Sequence, residues 1–288
     1  TIKPFLYSLA MSNGFSPCDM APNRQQTYMV AGRPWTPRNA NHSRYGQMVP
    51  LSWGLAQSNN WISAYLMSKL NPSQFVQLLH DYGINNPDIH ASLSLCLGPC
   101  EVSVSEMVSA YTAFANHGIR TAPMFVSRIE DNEGNTIATF QPRMNEVISA
   151  DNAMKMLTMM MGVVDNGTAG RLRYRYKLEG QIGAKTGTTN NNSDGWFIGF
   201  TPQLVSGCWV GGEDRDIHFD SMSMGQGATM ALPIWAIFMK KVYADVSLGY
   251  SPEVKFDIPA DYNPCYHVGS GGEQDSFEQV NAIDEVFE

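Results

Sequence analysis

Apolar residues recur with a helical period along most of this chain. Ile2, Phe5, Leu6 and Leu9 are spaced about 3.6 residues apart and predict a helix over residues 1–14. The same spacing predicts further helices at residues 61–67, from 72 onward, at 103–116, at 149–164 and at 234–246. Three of these helices begin with a start signal: the capping box Ser103-x-x-Glu106, a capping Ser149 and a first-turn Pro233.

Strand-like segments interrupt the helices in two places. Residues 125–129 and 136–140 flank a polar turn and predict a hairpin. A second group lies at residues 181–189, 196–201 and 204–210, with only Pro202 and Gln203 between the last two segments. Helices come first, then a hairpin and a helix, then consecutive strands and a final helix. This order predicts an α+β fold in which helices flank an antiparallel sheet.

Charge divides the chain near residue 250. The 288 residues carry a formal net charge of −8, but from Pro252 onward there are nine acidic side chains and Lys255 as the single basic one. Apolar periodicity fades in the same stretch. We therefore predict a domain over residues 1–250 and an acidic C-terminal tail over residues 251–288. Deleting the tail from about Gly269 is expected to change neither melting temperature nor activity.

The composition bears on two kinds of partner, membranes and nucleic acids. The chain is 43% hydrophobic, but none of its apolar runs approaches the length of a membrane span. Positive charge clusters only at residues 171–177, which we interpret as a solvated loop or as a contact for an anionic polymer. This is too little for a nucleic-acid surface, so no nucleic-acid partner is predicted.

The five cysteines do not have the spacing of metal ligands, and the histidines are scattered singly. We therefore predict no metal site and no cofactor. Cys96 and Cys100 could approach each other if the segment between them turns, which leaves a disulfide open in an oxidising compartment. We favour buried thiols that pack as small hydrophobic groups.

Residues 181–189 combine several groups that could bind an extended peptide with a carboxylate. On a strand, Lys185 and Gly187 point to one face, and Thr186 and Thr188 point to the other. Lys185 offers a fixed positive charge, the threonines offer hydroxyls, and Gly187 allows close approach of another element. An edge strand would also offer its backbone N–H groups. Alone, the sequence Lys-Thr-Gly is a weak signal.

Two other stretches strengthen that signal. Lys3 lies within the apolar face of the first predicted helix, and Ser58 and Asn60 precede the second. Taken separately, Lys3 is typical of a helix lysine whose amine reaches solvent, and Ser58-x-Asn60 is typical of a helix cap. In chain order with residues 185–187, they resemble the S-x-x-K, S-x-N and K-T-G motifs of penicillin-binding proteins and serine β-lactamases.

The resemblance extends to the transpeptidase domain of class A, bifunctional penicillin-binding proteins and covers about residues 1–247. It is carried by residues 1–5, 57–60, 110–118, 185–190 and 231–235. The family implies a penicillin-binding transpeptidase fold and a serine D,D-transpeptidase. Such an enzyme cleaves the D-Ala-D-Ala bond of a peptidoglycan stem peptide, forms an acyl-enzyme, passes the acyl group to an amine of a neighbouring stem, and is trapped by β-lactams.

The resemblance also implies roles for individual residues. Lys3 would be the base that takes the proton of the nucleophilic serine, if a desolvated site lowers its pKa. Ser58 would relay a proton towards the leaving amine, and Lys185 would add positive potential beside it. These three residues are the predicted catalytic set.

A second set would bind the substrate. Asn60 would hydrogen-bond an amide of the donor peptide, and Thr186 and Thr188 would bind its terminal carboxylate. Gly187 belongs to the same stretch. The backbone N–H of Thr188 would supply one donor of the oxyanion hole, and the nucleophile itself would supply the other.

The nucleophile is expected immediately before Thr1, because the family's serine lies three residues ahead of its lysine. Thr1 cannot replace it, since a spacing of two places Thr1 and Lys3 on different helix faces. We therefore expect the chain to be a fragment. The upstream segment that carries the serine is expected to be either continuous with this chain or cleaved and still bound to it.

The family implies an upstream glycosyltransferase domain, a membrane anchor outside this chain and a location on the outer face of the bacterial inner membrane. The alternatives are a serine D,D-carboxypeptidase or β-lactamase that uses water as the acceptor, or an inactive peptidoglycan-binding scaffold.

Overall fold

The computed structural model describes residues 1–266. Its helices are α1 (Lys3–Ser12), α2 (Leu51–Ala56), α3 (Asn60–Ser68), α4 (Pro72–Asp81), α5 (Val104–Ala115), α6 (Ala150–Asp165), α7 (Arg171–Tyr174), α8 (Met222–Gly225), α9 (Gly227–Met230) and α10 (Leu232–Ala244). Its strands are β1 (Met20–Pro22), β2 (Tyr28–Val30), β3 (Arg33–Trp35), β4 (Met48–Pro50), β5 (Ile119–Thr121), β6 (Arg128–Glu130), β7 (Thr136–Thr139), β8 (Met144–Glu146), β9 (Gly183–Thr188), β10 (Asp194–Phe200) and β11 (Val205–Gly211). This order confirms the predicted α+β class.

The largest sheet carries the predicted Lys-Thr-Gly strand. Its three antiparallel strands run in the order β11-β10-β9. Gly207 of β11 lies opposite Ile198 and faces Val108 of α5, whereas Gly199, the residue after Ile198, faces Trp235 of α10. Because neighbouring residues of a strand point to opposite faces, α5 and α10 cover the two sides of the sheet. Within residues 1–266, β9 pairs only with β10 and is an edge strand.

Helix α1 lies at the centre of the helical part of the fold. All its residues from Lys3 to Met11 are buried, as in a helix surrounded by other elements on every side. Phe5 packs its ring against that of Tyr82, at the end of α4, and against those of Tyr111 and Phe114 in α5. This packing fixes the first turn of α1, where Lys3 begins the helix.

Start signals that depend on neighbouring residues are confirmed. Ser103 and Glu106 form both hydrogen bonds of the capping box at the start of α5, and Ser149 accepts a hydrogen bond from the backbone of Asn152 at the start of α6. The hairpin predicted at residues 125–140 is present as the antiparallel pair β6–β7. The other two-stranded pairs, β1–β4, β2–β3 and β5–β8, were not predicted.

The first part of the predicted tail lies against the domain. The side chain of Phe256 is buried and packs on Phe200, and the backbone N–H of Phe256 donates to the side chain of Gln181. Further along, Cys265 forms a disulfide with Cys18, 247 residues earlier. Cys96 and Cys100 are free, as favoured from the sequence. The proposed boundary at residue 250 stays a prediction, and the deletion from Gly269 lies outside the described residues.

Across residues 1–266, no helix is both long enough and apolar enough to cross a membrane.

Candidate active site

Two lysine amino groups meet at the hydroxyl of Ser58. Lys3 Nζ lies 3.2 Å from Ser58 Oγ and also donates to the backbone oxygen of Ser58. Lys185 Nζ lies 2.8 Å from the same Ser58 hydroxyl and donates to the backbone oxygen of Thr186 at 2.8 Å. The side-chain oxygen of Asn60 accepts from Lys3 at 2.6 Å. Three separate stretches of sequence therefore converge at one point.

Ser58 holds this position through an unusual backbone conformation. Its φ of 52° lies in the left-handed region, which costs a residue with a Cβ roughly 1–2 kcal/mol. The next residue, Asn59, caps α3 by accepting hydrogen bonds from the backbone of Trp61 and Ile62. The alternative interpretation of Ser58 as the helix cap is therefore wrong, because Asn59 has that role and leaves the Ser58 hydroxyl to the lysines.

Burial changes the protonation of both lysines. Lys3 is 7% exposed, and desolvation lowers its pKa to about 7. Lys185 is 1% exposed, and its burial together with the charge of Lys3 holds its pKa well below the usual value. Lys3 can therefore exchange a proton near neutral pH. The fixed positive charge predicted at Lys185 is opposed by this environment and needs a nearby anion to stabilise it.

The side of β9 that carries Lys185 also meets the start of the chain. A methyl group at Gly187 would lie 2.8 Å from the backbone nitrogen of Thr1 and 3.0 Å from the Cβ of Trp196. The close approach predicted at Gly187 is thus present, and its partner is Thr1. The hydroxyl of Tyr111 donates to the backbone oxygen of Thr1 at 2.6 Å, which holds Thr1 in place.

The two threonines of β9 lie on the opposite face, as the strand period predicts. The hydroxyl oxygens of Thr186 and Thr168 are 2.7 Å apart, and Thr188 Oγ1 accepts from the backbone N–H of Gly227 at 3.0 Å. Thr168 was not predicted from the sequence as a site residue. No local pattern marks it, since it meets Thr186 only after α6 packs along β9.

Asn60 is held on both sides of its amide. Its oxygen accepts from Lys3, and its nitrogen donates to the backbone oxygen of Arg38 at 2.7 Å. Its backbone N–H donates to the side chain of Asn39. The contacts with Arg38 and Asn39 come from the loop between β3 and β4, where no site residue was predicted from the sequence.

The arrangement suits proton transfer next to a nucleophile. A neutral lysine, a hydroxyl and a second lysine lie within hydrogen-bonding distance, so a proton can pass from one side of Ser58 to the other. Within residues 1–266, no group of three or more His, Cys, Asp or Glu side chains is placed to hold a metal ion. The two buried amines and the hydroxyl between them support acid–base chemistry beside a nucleophile.

A family model described as "Penicillin binding protein transpeptidase domain" matches residues 1–207. The chain is 32% identical over 248 residues to penicillin-binding protein 1A of Neisseria meningitidis, a match that covers 83% of this chain and 30% of the relative. The chain thus spans about a third of the length of such a curated relative.

Solved structures share the fold. The crystal structure of penicillin-binding protein 1A from Haemophilus influenzae aligns with a TM-score of 0.80 at 25% identity, over 90% of this chain and 43% of that one. Penicillin-binding protein A from Mycobacterium tuberculosis, solved as an imipenem acyl-enzyme complex, aligns with a TM-score of 0.68 at 18% identity, over 83% of this chain and 58% of that one.

Proposed function

The chain belongs to the transpeptidase family of the penicillin-binding proteins, and we propose that it is the catalytic part of a serine D,D-transpeptidase that cross-links peptidoglycan stem peptides. One observation carries this proposal: Lys3, Ser58 and Lys185 form a connected proton path although they are far apart in sequence. An inactive scaffold would have no need to bury two lysines against one hydroxyl, because each buried amine costs desolvation free energy.

The nucleophile is a serine joined through its carbonyl carbon to the nitrogen of Thr1. That nitrogen is within electrostatic range of the amino groups of Lys3 and Lys185 and lies against Gly187. A residue attached there starts beside both amines, and as a serine it would be three positions before Lys3 on the same helix face. The geometry around Thr1 therefore favours this position for the nucleophile.

The proton path suits both steps of acyl transfer. Neutral Lys3 accepts the proton of the serine hydroxyl as its oxygen attacks the carbonyl carbon of the penultimate D-alanine. Ser58 lies between the lysines and passes a proton to the amine of the departing D-alanine, so the C–N bond breaks with a neutral leaving group. An amine of a second stem then attacks the ester, loses its proton along the same path and restores the serine. A β-lactam would stop at the acyl-enzyme, the state in which penicillin-binding protein A from Mycobacterium tuberculosis was solved with imipenem.

The donor peptide would lie along the free edge of β9. Backbone hydrogen bonds to an edge strand hold an extended peptide, and Lys185 supplies the cation for its terminal carboxylate, which in turn raises the pKa of that lysine. The hydroxyls of Thr186 and Thr188 complete the carboxylate site, and the N–H of Thr188 contributes to the oxyanion hole. Asn60 would bind an amide of the donor through the second N–H of its side chain, since the other donates to Arg38. Gly187 keeps the strand close to the nucleophile.

The location and the partners of the protein follow from the same proposal. The disulfide between Cys18 and Cys265 favours an oxidising compartment, as on the outer face of the inner membrane. A membrane anchor and a glycosyltransferase domain would belong to parts of the protein beyond the third that this chain covers in its relatives.

The test uses a protein that includes the upstream serine. We expect one covalent label per molecule from a fluorescent penicillin, release of D-alanine from a D-Ala-D-Ala donor, and a joined product when an amine acceptor is added. Transfer to water alone would indicate a carboxypeptidase or, with fast penicillin turnover, a β-lactamase. An absence of label in a folded protein would favour the scaffold.

A further inference from the structure

The residue that follows the proposed nucleophile is held from two sides. Thr1 lies against β9, where a methyl group at Gly187 would come within 2.8 Å of its backbone nitrogen. On another side, the hydroxyl of Tyr111 in α5 donates to the backbone oxygen of Thr1 at 2.6 Å. The proposed chemistry uses the close approach at Gly187 but assigns no role to Tyr111.

The backbone oxygen of Thr1 does not have the usual partner of a helical carbonyl. In an α-helix, a carbonyl oxygen accepts from the N–H four residues later, which for Thr1 is the N–H of Phe5. That N–H donates instead to the oxygen of Ile2 at 3.0 Å, and α1 begins only at Lys3. The hydroxyl of Tyr111 therefore takes the place of a backbone donor at the end of the helix that the nucleophile precedes.

Packing holds the ring of Tyr111 in one place. Tyr111 is fully buried, and its ring makes edge contacts with Phe5 and Phe114, with ring centroids 5.5 Å and 5.4 Å away. Burial also raises the pKa of Tyr111 well above its usual value, so the hydroxyl keeps its proton and acts as a donor. Because Phe5 belongs to α1, the ring and the hydroxyl hold the same helix at points about one turn apart.

The bond from Tyr111 limits how far the nucleophile can move. The carbonyl carbon of the upstream serine is bonded to the nitrogen of Thr1, and peptide groups are planar. Only the two backbone torsions of Thr1 therefore lie between that serine and the oxygen that Tyr111 holds. If the oxygen is released, these torsions can change and the serine side chain moves with them. A displacement of about 1 Å in a reacting group can cost on the order of 10²-fold in rate.

We propose that Tyr111 is a positioning residue for acylation: its hydroxyl holds the peptide group after the nucleophilic serine and so keeps the serine oxygen beside Lys3 and at attack distance from the substrate. The inference rests on the proposed transpeptidase function and its serine nucleophile. Tyr111 acts through Thr1. Its loss should therefore slow the covalent step and leave unchanged the binding of penicillin that precedes this step.

The experiment compares two tyrosine variants in a protein that includes the upstream serine. Tyr111→Phe keeps the buried ring and removes only the hydroxyl. Tyr82→Phe is the matched control, because Tyr82 is also fully buried against Phe5 and its hydroxyl also donates to α1, to the side chain of Ser8 at 3.1 Å. Each variant loses one hydrogen bond, which is small against the stability of a folded domain, so both are expected to fold.

Stopped-flow acylation with a penicillin separates the maximal acylation rate constant from the dissociation constant of the complex that precedes it. Tyr111→Phe should lower the maximal rate constant per folded molecule by about tenfold or more, with that dissociation constant unchanged. Tyr82→Phe should acylate at the normal rate. Equal maximal rate constants in the two variants would overturn the inference. A shifted midpoint of the pH profile without a lower plateau would mean that the variant acts on Lys3, and would also overturn it.

Two further side chains at position 111 keep the test decisive if Tyr111→Phe does not fold. In place of the tyrosine, p-aminophenylalanine retains an N–H donor at the end of the ring and should keep most of the acylation rate. In contrast, p-methylphenylalanine fills the same space without a donor and should acylate slowly. Equal rates with these two side chains would contradict the role of the hydroxyl.

The unchanged protein separates this inference from the proposed function. If it takes a covalent penicillin label and Tyr111→Phe acylates as fast, the proposed function stands and this inference fails. If the folded, unchanged protein takes no label, both proposals fall.

Discussion

Lys185 Nζ lies 2.8 Å from the hydroxyl oxygen of Ser58, although 127 residues separate the two. The amino group of Lys3, at the start of α1, contacts the same hydroxyl. The Ser58 hydroxyl therefore links the two amines through hydrogen bonds. This relationship requires that the hydroxyl both accept and donate during a proton transfer.

Replacing Lys185 with alanine should slow penicillin acylation by on the order of 10²-fold, similar to the loss of one preorganised electrostatic group. The physical reason is that the substrate carboxylate loses its cation and Ser58 loses one of its two amine partners. Lys240→Ala, an exposed lysine on α10, is the matched control and should acylate at the normal rate. Near-normal acylation of Lys185→Ala would remove Lys185 from the site.

Replacing Ser58 with alanine should slow acylation and leave the melting temperature close to that of the unchanged protein. The side chain of Asn59, and not that of Ser58, accepts hydrogen bonds from the backbone N–H groups at the start of α3. Asn59→Ala is therefore the informative comparison, because loss of that cap should lower the free energy of unfolding by about 1 kcal/mol. The two effects are measured by penicillin acylation rates and thermal melts. If Ser58→Ala acylates normally, the proton path does not pass through this hydroxyl.

Acylation should depend on pH through Lys3. Only the neutral amine can accept the serine proton, and burial lowers the pKa of Lys3 to about 7. The acylation rate constant should therefore rise about tenfold per pH unit below this value and level off above it. Stopped-flow acylation with a penicillin between about pH 5 and about pH 9 measures the profile. A rate that keeps rising beyond that range would mean that Lys3 keeps the usual pKa of a lysine.

Local signals in the sequence predicted much of the fold. The capping box at Ser103 and the strand period around Lys185 depend on residues that are close in the chain, so they could be interpreted without tertiary information. The burial of Lys3 agrees with its place within the apolar face of the first helix. These elements carry most of the site.

Features that depend on tertiary packing could not be predicted. The left-handed backbone of Ser58, which moves the cap to Asn59, has no sequence mark, because serine is common at helix starts. The bond between Thr168 and Thr186 exists only after α6 packs on β9. The pairing of Cys18 with Cys265 is one of several that five cysteines allow.

The disulfide gives a prediction for the C-terminal segment. Cys265→Ser should lower the free energy of unfolding by about 2–5 kcal/mol, since the bridge closes a long loop and holds residues 251–266 near the domain. Cys208→Ser, at a free cysteine, is the control and should have a smaller effect. Equal stability of Cys265→Ser and the unchanged protein in denaturant unfolding would show that the bridge does not stabilise the fold.

The central claim is that the nucleophile is a serine bonded to the nitrogen of Thr1. The most direct measurement is peptide mapping by mass spectrometry after a protein that includes the upstream segment has been acylated with penicillin and digested. The account predicts that the label is on a serine followed by the residues Thr-Ile-Lys that begin this chain. A label on Ser58, or on any other side chain within residues 1–288, would contradict it.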